Sequence, residues 1–111
     1  MGELENLISH FQIQNQQLQS ILVQKQTMSL QGKEIEKALE AIEGSTGDVY
    51  RSVGPILVKT SKADIKKQLD EEKEDIDIKL KTIESQEKKL KEKIKESQEK
   101  IQGMIPSGQG G

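Results

Sequence analysis

Stepping alternately by three and four residues from Leu4, the chain passes through Leu4, Leu7, Phe11, Gln14, Leu18, Ile21, Lys25, Met28, Gly32, Ile35, Leu39 and Ile42, and nine of these twelve positions are apolar. A second walk runs through Leu69, Lys73, Ile76, Leu80, Ile83, Glu87, Leu90, Ile94, Ser97, Ile101 and Met104, with eight of eleven apolar. A repeat of about 3.5 residues places one narrow stripe along a helix, and such a stripe needs a partner helix. The predicted fold is therefore mainly α, a long coiled coil and not a globule around a cavity. Only 32% of the residues are hydrophobic, and Phe11 and Tyr50 are the sole aromatics. Ligand pockets are lined mostly by apolar and aromatic side chains, so this composition suits a thin seam better than a pocket.

The 111 residues suffice for one domain, 1–111. The first helix is predicted over 3–43. Eight glutamines lie between Gln12 and Gln31, but they alternate with the apolar stripe and read as the polar faces of a coiled coil. Gly44 to Gly47 (GSTG) breaks the helix, with Gly44 suited to a left-handed cap. Between 48 and 60, β-branched residues gather on both sides of Gly54-Pro55, the signature of a hairpin with strands of about five residues. The second helix is predicted over 64–104, with Ser61 or Asp64 as its cap. Residues 106–111 form a flexible tail.

Two helices of similar length joined by a compact segment fold back antiparallel and reach roughly 60 Å. Both chain termini then meet at one end, with the hairpin at the other. A lone two-stranded hairpin is marginal in water, and Val49, Val53, Ile56 and Val58 offer it an apolar face. The simplest resolution is that several chains join their hairpins into an oligomeric β-barrel. The alternative is a cap folded over its own helices. At the far end Leu4, Leu7, Ile8 and Phe11 meet Ile101, Met104 and Ile105. Either these residues close the seam, or they form a frayed apolar end suited to loose capture of varied apolar surfaces. Lys25 falls level with Ile83 and Glu87, so it either pairs with Glu87 or snorkels to water.

Net charge is −2, from 17 basic and 19 acidic residues. On the second helix, Asp75/Lys79, Asp77/Lys81, Glu84/Lys88, Glu87/Lys91 and Glu96/Lys100 place acid before base at the favourable spacing. The basic-rich run 88–95 is diluted by Glu92 and flanked by Glu87 and Glu96, and has no neighbouring aromatic for base stacking. No nucleic-acid partner is expected. The absence of cysteine excludes disulfides and favours a reducing interior. No apolar run is long enough to span a bilayer, and the start lacks the pattern of a signal peptide. The expectation is a cytoplasmic protein with no membrane partner.

His10 is the only histidine, which rules out a multi-histidine metal site. Residues 70–75 lack the spacing of an EF-hand loop, and GSTG lacks the lysine of a P-loop. The residues point to a non-enzymatic protein without cofactor or metal.

The segment Asp48-Val49-Tyr50-Arg51-Ser52-Val53-Gly54-Pro55-Ile56-Leu57-Val58-Lys59 resembles the head of β-type archaeal prefoldin subunits. Gln24-Lys25-Gln26-Thr27, inside the glutamine-rich helix, matches the same class. This resemblance implies a chaperone subunit in a jellyfish-like hexamer of two α-type and four β-type chains built on a double β-barrel. The single hairpin points to the β type. Arms of this family hold unfolded polypeptides at their tips and pass them to a group II chaperonin without ATP. Carried over by position, Val49, Tyr50, Val53, Ile56, Leu57 and Val58 are implied for oligomerisation. Leu4, Leu7, Ile8, Phe11, Ile101, Met104 and Ile105 are implied for the client-binding tip. Two other classes compete with this reading: a structural coiled-coil scaffold assembled through the hairpin, and, more remotely, a nucleic-acid-binding arm using 88–95.

Overall fold

The structure, a computed structural model, describes residues 2–105; the expected tail at 106–111 lies outside the described residues. The element order is α1 (Glu3–Glu43), β1 (Val49–Val53), β2 (Ile56–Thr60) and α2 (Lys62–Met104). The two long helices pack as a coiled coil, and the half-buried and buried positions along each follow the expected seams. Two compact units divide the chain: residues up to Lys25 with those from Thr82 on form unit 1, and Gln26–Lys81 forms unit 2.

In unit 2, the end of α1 and the start of α2 run antiparallel and carry the hairpin. Ile65 is its buried core residue. The sequence walk began one step too late, at Leu69; four residues back lies Ile65, already inside the helix. That helix starts at Lys62, earlier than the expected 64, because Ser61 is the cap. Its Oγ accepts the Asp64 amide at 3.0 Å while its carbonyl takes the Ile65 amide at 3.0 Å. Asp64 instead places its charge in the first turn, where the helix dipole favours it.

The expected left-handed Gly44 is not found. Gly54 is the only glycine with positive φ among the described residues. The Gly44 amide instead continues onto the Glu40 carbonyl at 3.2 Å, and Ser45 satisfies the Ile42 carbonyl with both its amide and its hydroxyl. Lys62 Nζ donates to the Glu43 carbonyl at 3.0 Å. A serine and a lysine thus do the capping that a left-handed glycine would otherwise do.

The strands pair antiparallel with Val49 opposite Thr60 and Val53 opposite Ile56, leaving Gly54-Pro55 as a two-residue turn. Gly54 has φ 57°, and the proline ring imposes negative φ on the next residue, the pattern of a type II′ hairpin.

Gly32, one of the polar breaks in the first seam, is half-buried on α1. A Cβ there would lie 3.7 Å from Ile76 Cγ2, an ordinary contact. The space does not require glycine, and an interior helical glycine is weaker than alanine by about 1 kcal/mol. Gly32→Ala is expected to stabilise the chain by about that amount, read as a higher thermal midpoint; a lower midpoint would mean that the helices need a closer approach here.

Candidate capture end and assembly hairpin

Within unit 1 the seam contains two polar layers, each bridging the helices. Ser97 Oγ donates to Gln14 Oε1 at 2.8 Å, and both residues are buried. The Gln14 amide in turn donates to His10 Nε2 at 3.3 Å. Lys25 Nζ donates to Glu87 Oε1 at 2.9 Å, so Lys25 pairs with Glu87 and does not merely snorkel. Lys91 holds the other oxygen of Glu87 at 2.8 Å. Lys25–Glu87 is one of the two sequence alternatives for Lys25, offered because the two residues stand level and carry opposite charge. The same count places Gln14 beside Ser97, a pair with no charge to announce it.

Hydrogen bonds from Lys91 and Lys25 hold the Glu87 carboxyl below its ordinary value of 4.5. The bond to Glu87 raises Lys25 above its ordinary 10.5. A lowered carboxyl contributes stability that is present above 4.5 and lost as pH falls through the folded value. A raised lysine contributes stability that is present below 10.5 and lost only as pH climbs past it. Glu87→Gln is therefore expected to lower the melting midpoint at neutral pH and to flatten its decline in acid. An unchanged acid slope would show that Glu87 contributes nothing to it.

Among the described residues, Glu87–Lys91 is the one of the five expected acid-before-base pairs that closes as an ion pair. The other four do not close, and Asp77 turns back to Lys73 at 3.5 Å instead, as suits surface charges that gain little from any one partner. In unit 2 the seam lysine, Lys73, is engaged across the helices by Glu36 at 3.2 Å, and its pKa is raised chiefly by that bond.

Beyond the Gln14–Ser97 layer, toward the helix ends that carry the termini, no described residue is buried. Leu4, Leu7, Phe11 and Ile101 lie on the seam but are only half-buried. Ile8, Met104 and Ile105 each expose about two fifths of their surface. All seven residues singled out for the tip belong to unit 1. Fully burying one such side chain is worth about 1.5–3 kcal/mol, so this end leaves several kcal/mol of apolar burial unrealised.

The hairpin in unit 2 is similar. Its pairing puts Val49, Arg51, Val53, Ile56, Val58 and Thr60 on one face, with Tyr50, Ser52, Leu57 and Lys59 on the other. Tyr50, Val53, Ile56 and Leu57 each expose more than half of their surface, Val58 nearly half, and Val49 is half-buried. The sheet has two strands, so each keeps one edge unpaired. Arg51, not anticipated as a functional residue, fixes the hairpin over α2: its guanidinium donates to Gln68 Oε1 and, at 2.8 Å, to Glu72 Oε1. Val49 and Arg51 face a groove shared with Ala41, Ile42, Ile65 and Leu69. Val49 and Arg51 anchor one end of their face, while Val53, Ile56 and Val58 on that face and Tyr50 and Leu57 on the other project into solvent.

This arrangement has relatives. The sequence profile of the prefoldin subunit family matches residues 5–108. The prefoldin subunit beta of Archaeoglobus fulgidus is 39% identical over 78 aligned residues, covering 65% of this chain and 67% of that protein. The Pyrococcus furiosus prefoldin subunit beta is 36% identical over 72 residues, covering 63% of this chain and 62% of that protein, so that alignment falls short of two thirds of its length. The crystal structure of the prefoldin beta subunit from Thermococcus strain KS-1 superposes with a TM-score of 0.86 at 35% identity, over 96% of each chain. A match running through both helices and the hairpin, at that identity and superposition, leaves one conclusion: the chain belongs to the prefoldin subunit family, as a subunit of the beta type.

Proposed function

We propose that this chain is a subunit of an ATP-independent holdase that captures unfolded polypeptides at its coiled-coil tip and hands them to a group II chaperonin. In this reading four such chains join two α-type subunits in a cytoplasmic hexamer. The hairpins supply the contacts, through Val49, Tyr50, Val53, Ile56, Leu57 and Val58. Leu4, Leu7, Ile8, Phe11, Ile101, Met104 and Ile105 take up the client.

The observation that carries the reading is the half-exposed apolar end of unit 1 beyond its last buried layer. Unfolded chains present apolar segments of no fixed shape, and a set of partly covered aliphatic side chains on helix ends meets them without demanding a sequence. Family membership supports it independently. No helix among the described residues is long and apolar enough to cross a membrane.

The test is light scattering of a chemically unfolded client diluted into buffer with this chain and an α-type subunit. The expected result is strongly suppressed aggregation with no nucleotide present. Full aggregation in the presence of a confirmed hexamer would overturn the capture reading and leave a coiled-coil scaffold in its place.

A further inference from the structure

We infer that Gln14 and Ser97 are positioning residues for capture: their hydrogen-bonded layer is the last buried one along the seam and lets the stretch beyond it open as a unit. The inference rests on the capture reading above.

Going toward the terminal end of unit 1, these two are the last buried residues. Past them no seam position is more than half-buried, from Leu4 to Phe11 on α1 and at Ile101 and Met104 on α2; on the inner side Leu18, Ile21, Leu90 and Ile94 are half-buried too, but there Ile83 and Glu87 are buried. An apolar pair at this level would resist opening, because separating it exposes hydrocarbon to water. A glutamine–serine pair behaves differently. Closed, the Ser97 hydroxyl donates to Gln14 at 2.8 Å; open, both groups bond to water, so the net gain from closure is small.

The same pair is strict about alignment. Sliding one helix by a heptad would set Gln14 against Leu90 or Met104 and leave a buried amide without a partner, which is costly. The layer thus fixes which residues face each other at the tip without holding the tip shut. Its outer contact, from the Gln14 amide to His10 one turn earlier, reaches into the segment that opens.

Hydrogen exchange on the assembled hexamer, paired with client binding, tests this. Gln14→Leu with Ser97→Leu replaces the layer by an apolar one. Amides of residues 6–10 and 98–104 should then exchange at least about tenfold more slowly, and client affinity should fall at least about tenfold, while residues 26–81 are unaffected. Ser97→Ala should do the opposite at the tip, speeding exchange there, and Ser97→Thr should restore the original rates. Unchanged exchange in the leucine pair, or slowed exchange with full capture, overturns the inference. Should the leucine pair mispair its helices, Ser97→Ala decides alone: unaltered tip exchange there is equally fatal. If the unsubstituted hexamer binds no client, the fault lies with the capture reading, and the exchange rates still decide the role of the layer.

Discussion

With Ile56, Leu57 and Val58 all replaced by threonine, the chain is expected to keep both helices and lose its place in any assembly with an α-type subunit. Threonine keeps the branched shape and strand preference that a marginal hairpin needs, so the local structure is spared. What disappears is aliphatic surface on three residues that project from β2 into solvent. At roughly 1.5–3 kcal/mol for each fully buried side chain, the interface loses on the order of 5 kcal/mol in every contact it makes. That corresponds to more than a thousandfold in association. Light scattering coupled to size exclusion should report small species, with unchanged helical circular dichroism. A hexamer of full size would mean that backbone pairing along the open strand edges suffices by itself. Arg51 is untouched in this variant, so the hairpin stays fixed over α2 and the loss is attributable to the projecting side chains.

Removing residues 1–8 and 101–111 is expected to have the complementary effect: assembly intact, capture abolished. The cuts take away Leu4, Leu7, Ile8, Ile101, Met104 and Ile105 but stop short of the Gln14–Ser97 layer, so the rest of the seam stays closed. A finer version changes Leu4, Leu7, Phe11 and Ile101 to serine. These side chains are half-exposed already, so only part of each burial is at stake, on the order of 1 kcal/mol apiece. Together that is a loss of two to three orders of magnitude in client affinity. The suppression of aggregation should vanish in both variants. Persisting suppression would move capture elsewhere along the arm.

Much of this architecture is legible in the sequence because a coiled coil is a one-dimensional code. Each seam position follows from the one before, and Gly54-Pro55 between β-branched runs marks the turn with equal clarity. The misreadings share a cause. Gly44 was given a left-handed cap on residue type, whereas the helix end is closed by Ser45 and by Lys62, nineteen residues away in sequence. Asp64 competed with Ser61 for the cap, and only the hydrogen bond from the Asp64 amide to Ser61 separates them. Gln14 and Ser97 are two of the non-apolar positions along the walks, and their hydrogen bond joins residues 83 apart in sequence. Periodicity locates positions on one helix, while pairing between helices depends on what stands opposite, and Lys25 with Glu87 was found only where charge made the partner obvious. Likewise, the anchoring of the hairpin by Arg51 depends on Gln68 and Glu72 standing at the right turn of α2.

The polar contacts also close loops of very different length. Arg51 and Glu72 are 21 residues apart, Lys25 and Glu87 are 62 apart, and Gln14 and Ser97 are 83 apart. Closing the widest of these loops directly costs about 1 kcal/mol more entropy than closing the narrowest. Once the nearer contact exists, each further one needs only a short additional closure, so pairing spreads stepwise away from the hairpin. During synthesis the greasy stripe of α1 emerges first and waits for α2 before it finds a partner. On the proposed reading, a chain that shelters unfinished proteins begins life with the same exposure, and its terminal end is expected to be the last part of itself to become ordered.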